Sequence, residues 1–187
     1  WIGSVGWRQN DQTLDAVRIT ARPVKGASLD YLYAWRVNRV FGPDSPQGIW
    51  RDTEIHGFRA AQTIKNVGTL SAYGYWLEVP SQPSSSSRTV GVRMAGELPV
   101  GGKSTFLYTA EYARQHDHGT NPRRFSLDYW LFEPGVKVGP ASFKVGYERL
   151  EGNGTVGLQT PLATLHAFNG WADKFLTTPA NGLRDAY

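Results

Sequence analysis

Cysteine is absent from the 187 residues, which removes disulfides, thiolate metal sites and a thiol nucleophile at once. Charge is scarce as well: Asp, Glu, Lys and Arg make up 19% of the chain, less than a soluble surface usually carries. No run approaches the ~18 apolar residues of a transmembrane helix, which excludes a helical span but not a barrel that crosses with strands. The net charge of +4 comes from dispersed basic residues, so the clustered footprint of a nucleic-acid binder is missing. Gly-x-Ser-x-Gly and His-Glu-x-x-His do not occur, which argues against a hydrolase elbow or a zinc-protease helix. The Gly-rich piece Val100-Gly101-Gly102-Lys103-Ser104 lacks phosphate-loop spacing and has no helix after it, so it reads as a turn. Trp1-Ile2-Gly3-Ser4 has no initiator methionine and no positively charged start, as expected of a mature product or a fragment.

What the chain does have is aromatic side chains, at 13%, and 21 glycines arranged around alternating segments. Phe143, Val145 and Tyr147 oppose Ser142, Lys144, Gly146 and Glu148, and Phe106, Tyr108, Ala110 and Tyr112 oppose Thr105, Thr109 and Glu111. In residues 29 to 38 one face reads Leu29, Tyr31, Tyr33, Trp35 and Val37, the other Asp30, Arg36 and Asn38. Residues 125 to 133 set Phe125, Leu127, Tyr129 and Leu131 against Ser126 and Asp128. Val17 and Ile19 oppose Arg18 and Thr20; Val90, Val92, Met94 and Leu98 oppose Thr89, Arg93 and Glu97. Such alternation is amphipathic only in a strand. Residues 55 to 64 and 68 to 79 are strand-like too, and a first strand is expected through Val5 and Trp7. Pro134 in Glu133-Pro134-Gly135 removes a ladder donor and predicts a bulge or bend there.

The connections alternate as well. Lys65-Asn66-Val67-Gly68, Pro99-Val100-Gly101-Gly102 and Val138-Gly139-Pro140-Ala141 are tight; residues 42 to 54, 80 to 87, 116 to 124 and those after Leu150 are long and polar. Pro80 to Ser87 reads as a mobile surface loop. Short turns on one rim and long loops on the other are the plan of an antiparallel transmembrane β-barrel. The whole chain, 1 to 187, reads as one all-β barrel domain or a segment of one, with a long outer loop at about 151 to 182.

Gly146-Tyr147-Glu148-Arg149-Leu150-Glu151-Gly152-Asn153-Gly154, continuing into Phe168-Asn169-Gly170-Trp171-Ala172-Asp173-Lys174-Phe175-Leu176-Thr177-Thr178-Pro179, resembles the C-terminal portion of the alginate-export-type outer-membrane porins of Gram-negative bacteria. Ile49-Trp50-Arg51-Asp52-Thr53 is similar to the same family. The resemblance implies a bacterial outer-membrane location and a single-chain barrel of about 18 strands. It also implies passive passage of small polar or anionic solutes, sugars or uronates among them, with no enzymatic activity and no cofactor. The chain is about half the family's length, and Leu183 to Tyr187 looks like the opening of a further strand. The expectation is therefore a section of a longer barrel, or strands that close with other protein chains, because open edges in lipid are costly.

A conducting lumen needs separated charges that admit a solute without trapping it. Arg18, Arg36, Arg93 and Lys144, with Asp30, Glu111, Asp128 and Glu148, are the candidates to line it. Arg114 shares the parity of the aromatic face and belongs to the rim. In the family an arginine-rich constriction attracts uronate carboxylates; the candidates in this chain are mixed in sign. Phe168, Trp171 and Phe175 would narrow the pore if their loop folds inward, or else anchor that loop to the rim. His116-Asp117-His118 could offer two metal ligands from a strand end but lacks a clear third, so no metal site is assigned. The competing reading is a non-transport membrane barrel or a soluble one, a structural or ligand-binding module with its apolar faces inward. Lipid and a small anionic solute are the expected partners, and nucleic acid is not.

Overall fold

A computed structural model describes residues 11–163 and 177–187. Its strands are β1 (Thr13–Ala21), β2 (Ala27–Asn38), β3 (Ile49–Trp50), β4 (Glu54–Ile64), β5 (Gly68–Glu78), β6 (Ser87–Gly101), β7 (Ser104–Asp117), β8 (Ser126–Val138), β9 (Ala141–Lys144), β10 (Tyr147–Glu151) and β11 (Gly182–Ala186). They form one antiparallel sheet in the order β1-β2-β4-β5-β6-β7-β8-β10-β11, with the stub β3 on β2 and the stub β9 on β8. Each strand of the path thus pairs with its neighbour in sequence, the meander that short antiparallel connections allow. The connections at 22–26, 65–67, 102–103 and 139–140 lie on one rim, and those at 39–53, 79–86 and 118–125, with the described parts of the β10–β11 connection, on the other. At the tight rim Asn66 sits at φ 61° and Gly139 at φ 57°, the left-handed conformation that these residue types tolerate.

Register sorts the side chains into two unlike faces. On one lie Val17, Ile19, Phe58, Val90, Val92, Trp130, Phe132, Val136, Phe143 and Val145, all exposed and together far more apolar surface than a water-soluble sheet presents. Aromatic rings tile this face: Tyr31 against Phe58 at 4.7 Å, Phe58 edge-on to Trp76 at 5.8 Å and Tyr112 against Trp130 at 4.4 Å. The opposite face carries Arg18, Asp30, Arg59, Arg93, Glu111, Glu133, Lys144 and Glu148. At 15, 14 and 13 residues, β6, β7 and β8 exceed the ~9–11 that a tilted strand needs to cross hydrocarbon.

Toward the long-connection rim the charged face becomes apolar, because residues 156–163 fold back across it as a strap. Val156 and Leu158 pack on Phe125, Leu127 and Leu150, while Leu162 packs on Ala34, Val37, Trp50, Ile55 and Leu77. Polar contacts fix the strap between these two small cores. Gln115 and Gln159 exchange a pair of bonds: Nε2 of Gln115 donates to the Gln159 carbonyl at 2.8 Å, and the Gln159 N–H donates to Gln115 Oε1 at 2.7 Å. Gln12 donates to the Leu162 carbonyl at 2.7 Å.

Three local expectations need correction. The Ser-rich connection is not a loose surface loop, because Ser86 is fully buried, its hydroxyl accepts the Val79 N–H at 2.9 Å, and Asn121 donates to its carbonyl at 2.7 Å. Pro134 does not interrupt its own strand, since β8 pairs with β7 without a register shift. Its carbonyl accepts Val145 N–H at 3.1 Å, so its missing donor points to the same side, at the break between β9 and β10. The irregularity has moved to the neighbouring strand. A bulge also interrupts β2, where Asp15 opposes Arg36 while Ala16 opposes Ala34, leaving Trp35 as the extra residue.

Candidate functional site

The charged face is organised as carboxylates held by cations and phenols from adjacent strands. Asp30 of β2 is 6% exposed, accepts Thr20 Oγ1 and Arg18 Nη2 at 2.7 Å each, and lies 3.6 Å from Arg59 Nη1 of β4. A buried carboxylate is tolerable only with such partners. Further across the sheet, Glu111 of β7 takes Arg93 of β6 on one oxygen and the Tyr73 hydroxyl of β5 on the other. Tyr73 reaches it by passing over Gly91, where a Cβ would come within 2.5 Å of the hydroxyl-bearing end of the ring. Beyond these, Lys144 pairs with Glu133 at 2.8 Å, Tyr187 donates to the same carboxylate at 3.1 Å, and Tyr129 donates to Glu148 at 2.7 Å.

Exposure within these pairs is unequal. The Arg18 and Asp30 side chains are 58% and 4% exposed, Arg93 and Glu111 42% and 13%, Lys144 and Glu133 49% and 20%. The carboxylates lie against the wall and the cations stand out from it. Although the residues are mixed in sign, the surface they present is mainly basic.

Of the sequence candidates, Arg18, Arg93, Lys144, Asp30, Glu111 and Glu148 share this face. Arg36 does not. The β2 bulge turns it to the side of Trp35, where it pairs with Asp15 at 3.8 Å. Asp128 is also elsewhere: it alternates with Leu127 and Tyr129, and meets Arg114 at 3.6 Å and the Tyr112 hydroxyl at 3.0 Å beside Trp130. The apolar set of that strand was misleading, because Leu127 is buried under the strap and faces the same way as the charges. Phe168, Trp171 and Phe175 lie outside the described residues. Asp117 of the His-Asp-His run is engaged by Arg124 at 2.6 Å and by the Phe125 N–H at 3.0 Å, closing its loop.

Sequence reasoning missed Arg59, Tyr73, Tyr129 and Glu133. Parity would have found Arg59, since Ile55, Gly57, Arg59 and Ala61 alternate, but the small neighbours hide the pattern. Tyr129 falls in the apolar set of its strand, whereas its hydroxyl, like that of Tyr73, serves a carboxylate. Between the strap and the wall lies a cavity of about 280 Å³ reached by Tyr73, Glu111, Gln115, Tyr129, Glu148 and Gln159.

Gly91→Val is expected to push Tyr73 off the wall and leave Glu111 held by Arg93 alone. The cost is about 1–3 kcal/mol for the forced displacement, measurable as a lower urea midpoint in lipid vesicles, with strand content unchanged by circular dichroism.

No family model matches the sequence, and no curated protein does either. Solved structures do. OpdL of Pseudomonas aeruginosa superposes with a TM-score of 0.66 at 18% identity, over 89% of this chain and 47% of its own. OccK2 (OpdF) of the same organism gives 0.69 at 11% identity, over 90% and 48%. OccK2 has also been crystallised with glucuronate, and that structure superposes at 0.67, over 90% and 49%. The chain spans about half the length of these proteins, and over that length its fold is that of their antiparallel β-barrel wall.

Proposed function

We propose that this chain forms part of the wall of a bacterial outer-membrane porin that passes small anionic solutes by diffusion through a water-filled lumen. The observation that carries this is the unequal exposure of the ion pairs. Arg18, Arg93 and Lys144 project from the charged face while Asp30, Glu111 and Glu133 are tucked beneath them. A basic surface inside a low-dielectric wall concentrates anions, and cations already paired at their base attract a solute without trapping it. The apolar face, with its aromatic tiling, suits hydrocarbon. On this reading the short turns face the periplasm and the long connections the outside. Catalysis and a cofactor have no place in it.

The solute class follows from the same surface. Arginine forks suit carboxylates, tyrosine hydroxyls suit sugar hydroxyls, and the glucuronate seen with OccK2 is a solute of that kind. The finer assignment to the alginate-export type is supported by residues 49–53, 146–154 and 168–179, and alginate itself would be one uronate among several. Planar-bilayer recording tests the function. The expected result is stepwise conductance with a reversal potential on the anion side in a KCl gradient; no conductance, or cation selectivity, would overturn it.

The strap is expected to narrow this lumen. Gln115→Ala removes both bonds to Gln159 and leaves buried backbone groups unpaired, at a cost of about 1–3 kcal/mol. Larger single-channel conductance, with more frequent current fluctuations, is the predicted reading.

A further inference from the structure

On the long-connection rim a second cavity, of about 540 Å³, opens above the strap, within the ~300–1,000 Å³ of small-molecule sites. Leu158 to Pro161 line both it and the smaller cavity on the charged face, so the strap is the floor of one and the roof of the other. Arg39 and Arg123 line the upper cavity, and no Asp or Glu is among the described residues that line it with them. Neither guanidinium is ion-paired among the described residues.

Its lining is also unsatisfied in a specific way. Arg39 Nε, Trp50 Nε1 and Gln159 Oε1 are buried without a hydrogen-bond partner among the described residues, and all three residues line this cavity. Buried polar atoms are rarely left so, and Trp50 is only 3% exposed. Packing has already fixed the donors: the Arg39 guanidinium stacks 4.4 Å over Trp50 and 5.1 Å over Phe41, while Trp50 is held by its bridge to Val37. Burial pushes the Arg39 pKa down from its ordinary value, yet arginine stays charged in proteins. The Gln159 amide nitrogen is taken by the Ser84 carbonyl at 3.1 Å, which leaves its oxygen to accept.

Two orphan donors on an arginine and an indole, a second arginine and one orphan acceptor match a solute that carries both a carboxylate and hydroxyls. We propose that the cavity is a docking site for such a solute, a hexuronate being the simplest, at the pore mouth and separate from the arginines of the wall. Its place in transport rests on the channel reading; binding itself does not. Captured above the strap, the solute would pass next to Arg18, Arg59 and Arg93.

Equilibrium dialysis of radiolabelled glucuronate against the full chain in detergent tests this, with glucose as the neutral control and conductance in KCl recorded alongside. Arg39→Gln with Arg123→Gln should weaken glucuronate binding about tenfold or more, the loss of charge-assisted fork contacts, and leave KCl conductance unchanged. Both residues lie outside the strands, and the heat-modified gel mobility of a folded barrel verifies assembly. Should that pair fail to assemble, Arg39→Lys with Arg123→Lys keeps the charge, removes the fork, and should still lose affinity. Unaltered affinity in the assembled variant, or equal binding of glucose, would overturn the site. So would loss of binding only when Arg18, Arg59 and Arg93 are neutralised. Absent conductance with intact glucuronate binding would count against the channel and not against this site.

Discussion

Replacing Arg18, Arg59 and Arg93 together by glutamine is expected to abolish the anion preference, lowering the anion-to-cation permeability ratio by about tenfold or more, the scale on which charged clefts concentrate counter-ions. These side chains come from β1, β4 and β6, and Arg18 and Arg59 share one buried carboxylate, Asp30. Neutralising them leaves Asp30 and Glu111 without compensation, so the field of the wall reverses in sign. The reversal potential in a KCl gradient reads this directly. Arg36→Gln is the internal control. Its partner is Asp15 on the other side of β2, so selectivity should stay at the wild-type value. Equal effects from Arg36 alone and from the three arginines would mean that the faces are assigned the wrong way round.

The second large effect concerns the membrane. Phe132→Arg is expected to cost about 2–4 kcal/mol, the penalty for a guanidinium on the lipid face near the bilayer midplane, and to reduce assembled barrel sharply. Phe132 is 57% exposed among Trp130, Val136 and Phe143. Leu131→Arg, one residue away, should assemble normally, because Leu131 opposes Glu111 and Glu148 in register and a new cation there gains two carboxylate neighbours. Urea titration in lipid vesicles separates the two. Equal tolerance of both substitutions would favour a sheet that meets water on both faces.

Much of the wall was legible in the sequence because alternation and loop length are local signals. Val17 and Ile19 against Arg18, and Phe106 and Tyr108 against Glu111, sort correctly on parity alone. Two kinds of information were not local. A bulge adds one residue and moves every later side chain to the other face, so Arg36 and Val37 exchanged sides with nothing in their own types to announce it. The strap supplied the other. Leu127 falls in the apolar set of its strand, but it is apolar because a segment distant in sequence covers it. Asp128 was placed inside for the complementary reason, as the polar member of a strand whose apolar members turned out to be core. The mixed signs of the charged residues are visible in the alternating segments, but the imbalance in exposure exists only once the pairs form. Gly91 had no sequence signal; its role appears when the ring of Tyr73 is laid over it.

The central claim is that the face bearing Arg93 and Glu111 meets water while the face bearing Trp130 and Phe132 meets lipid. Because the chain has no cysteine, every introduced thiol is unique. Single cysteines along β8, treated in intact membranes with a charged, membrane-impermeant thiol reagent, measure this one residue at a time. The account predicts rapid labelling at Leu131, Glu133 and Lys137 and protection at Trp130, Phe132 and Val136, in strict alternation. Labelling in the opposite phase, or without alternation, would contradict it.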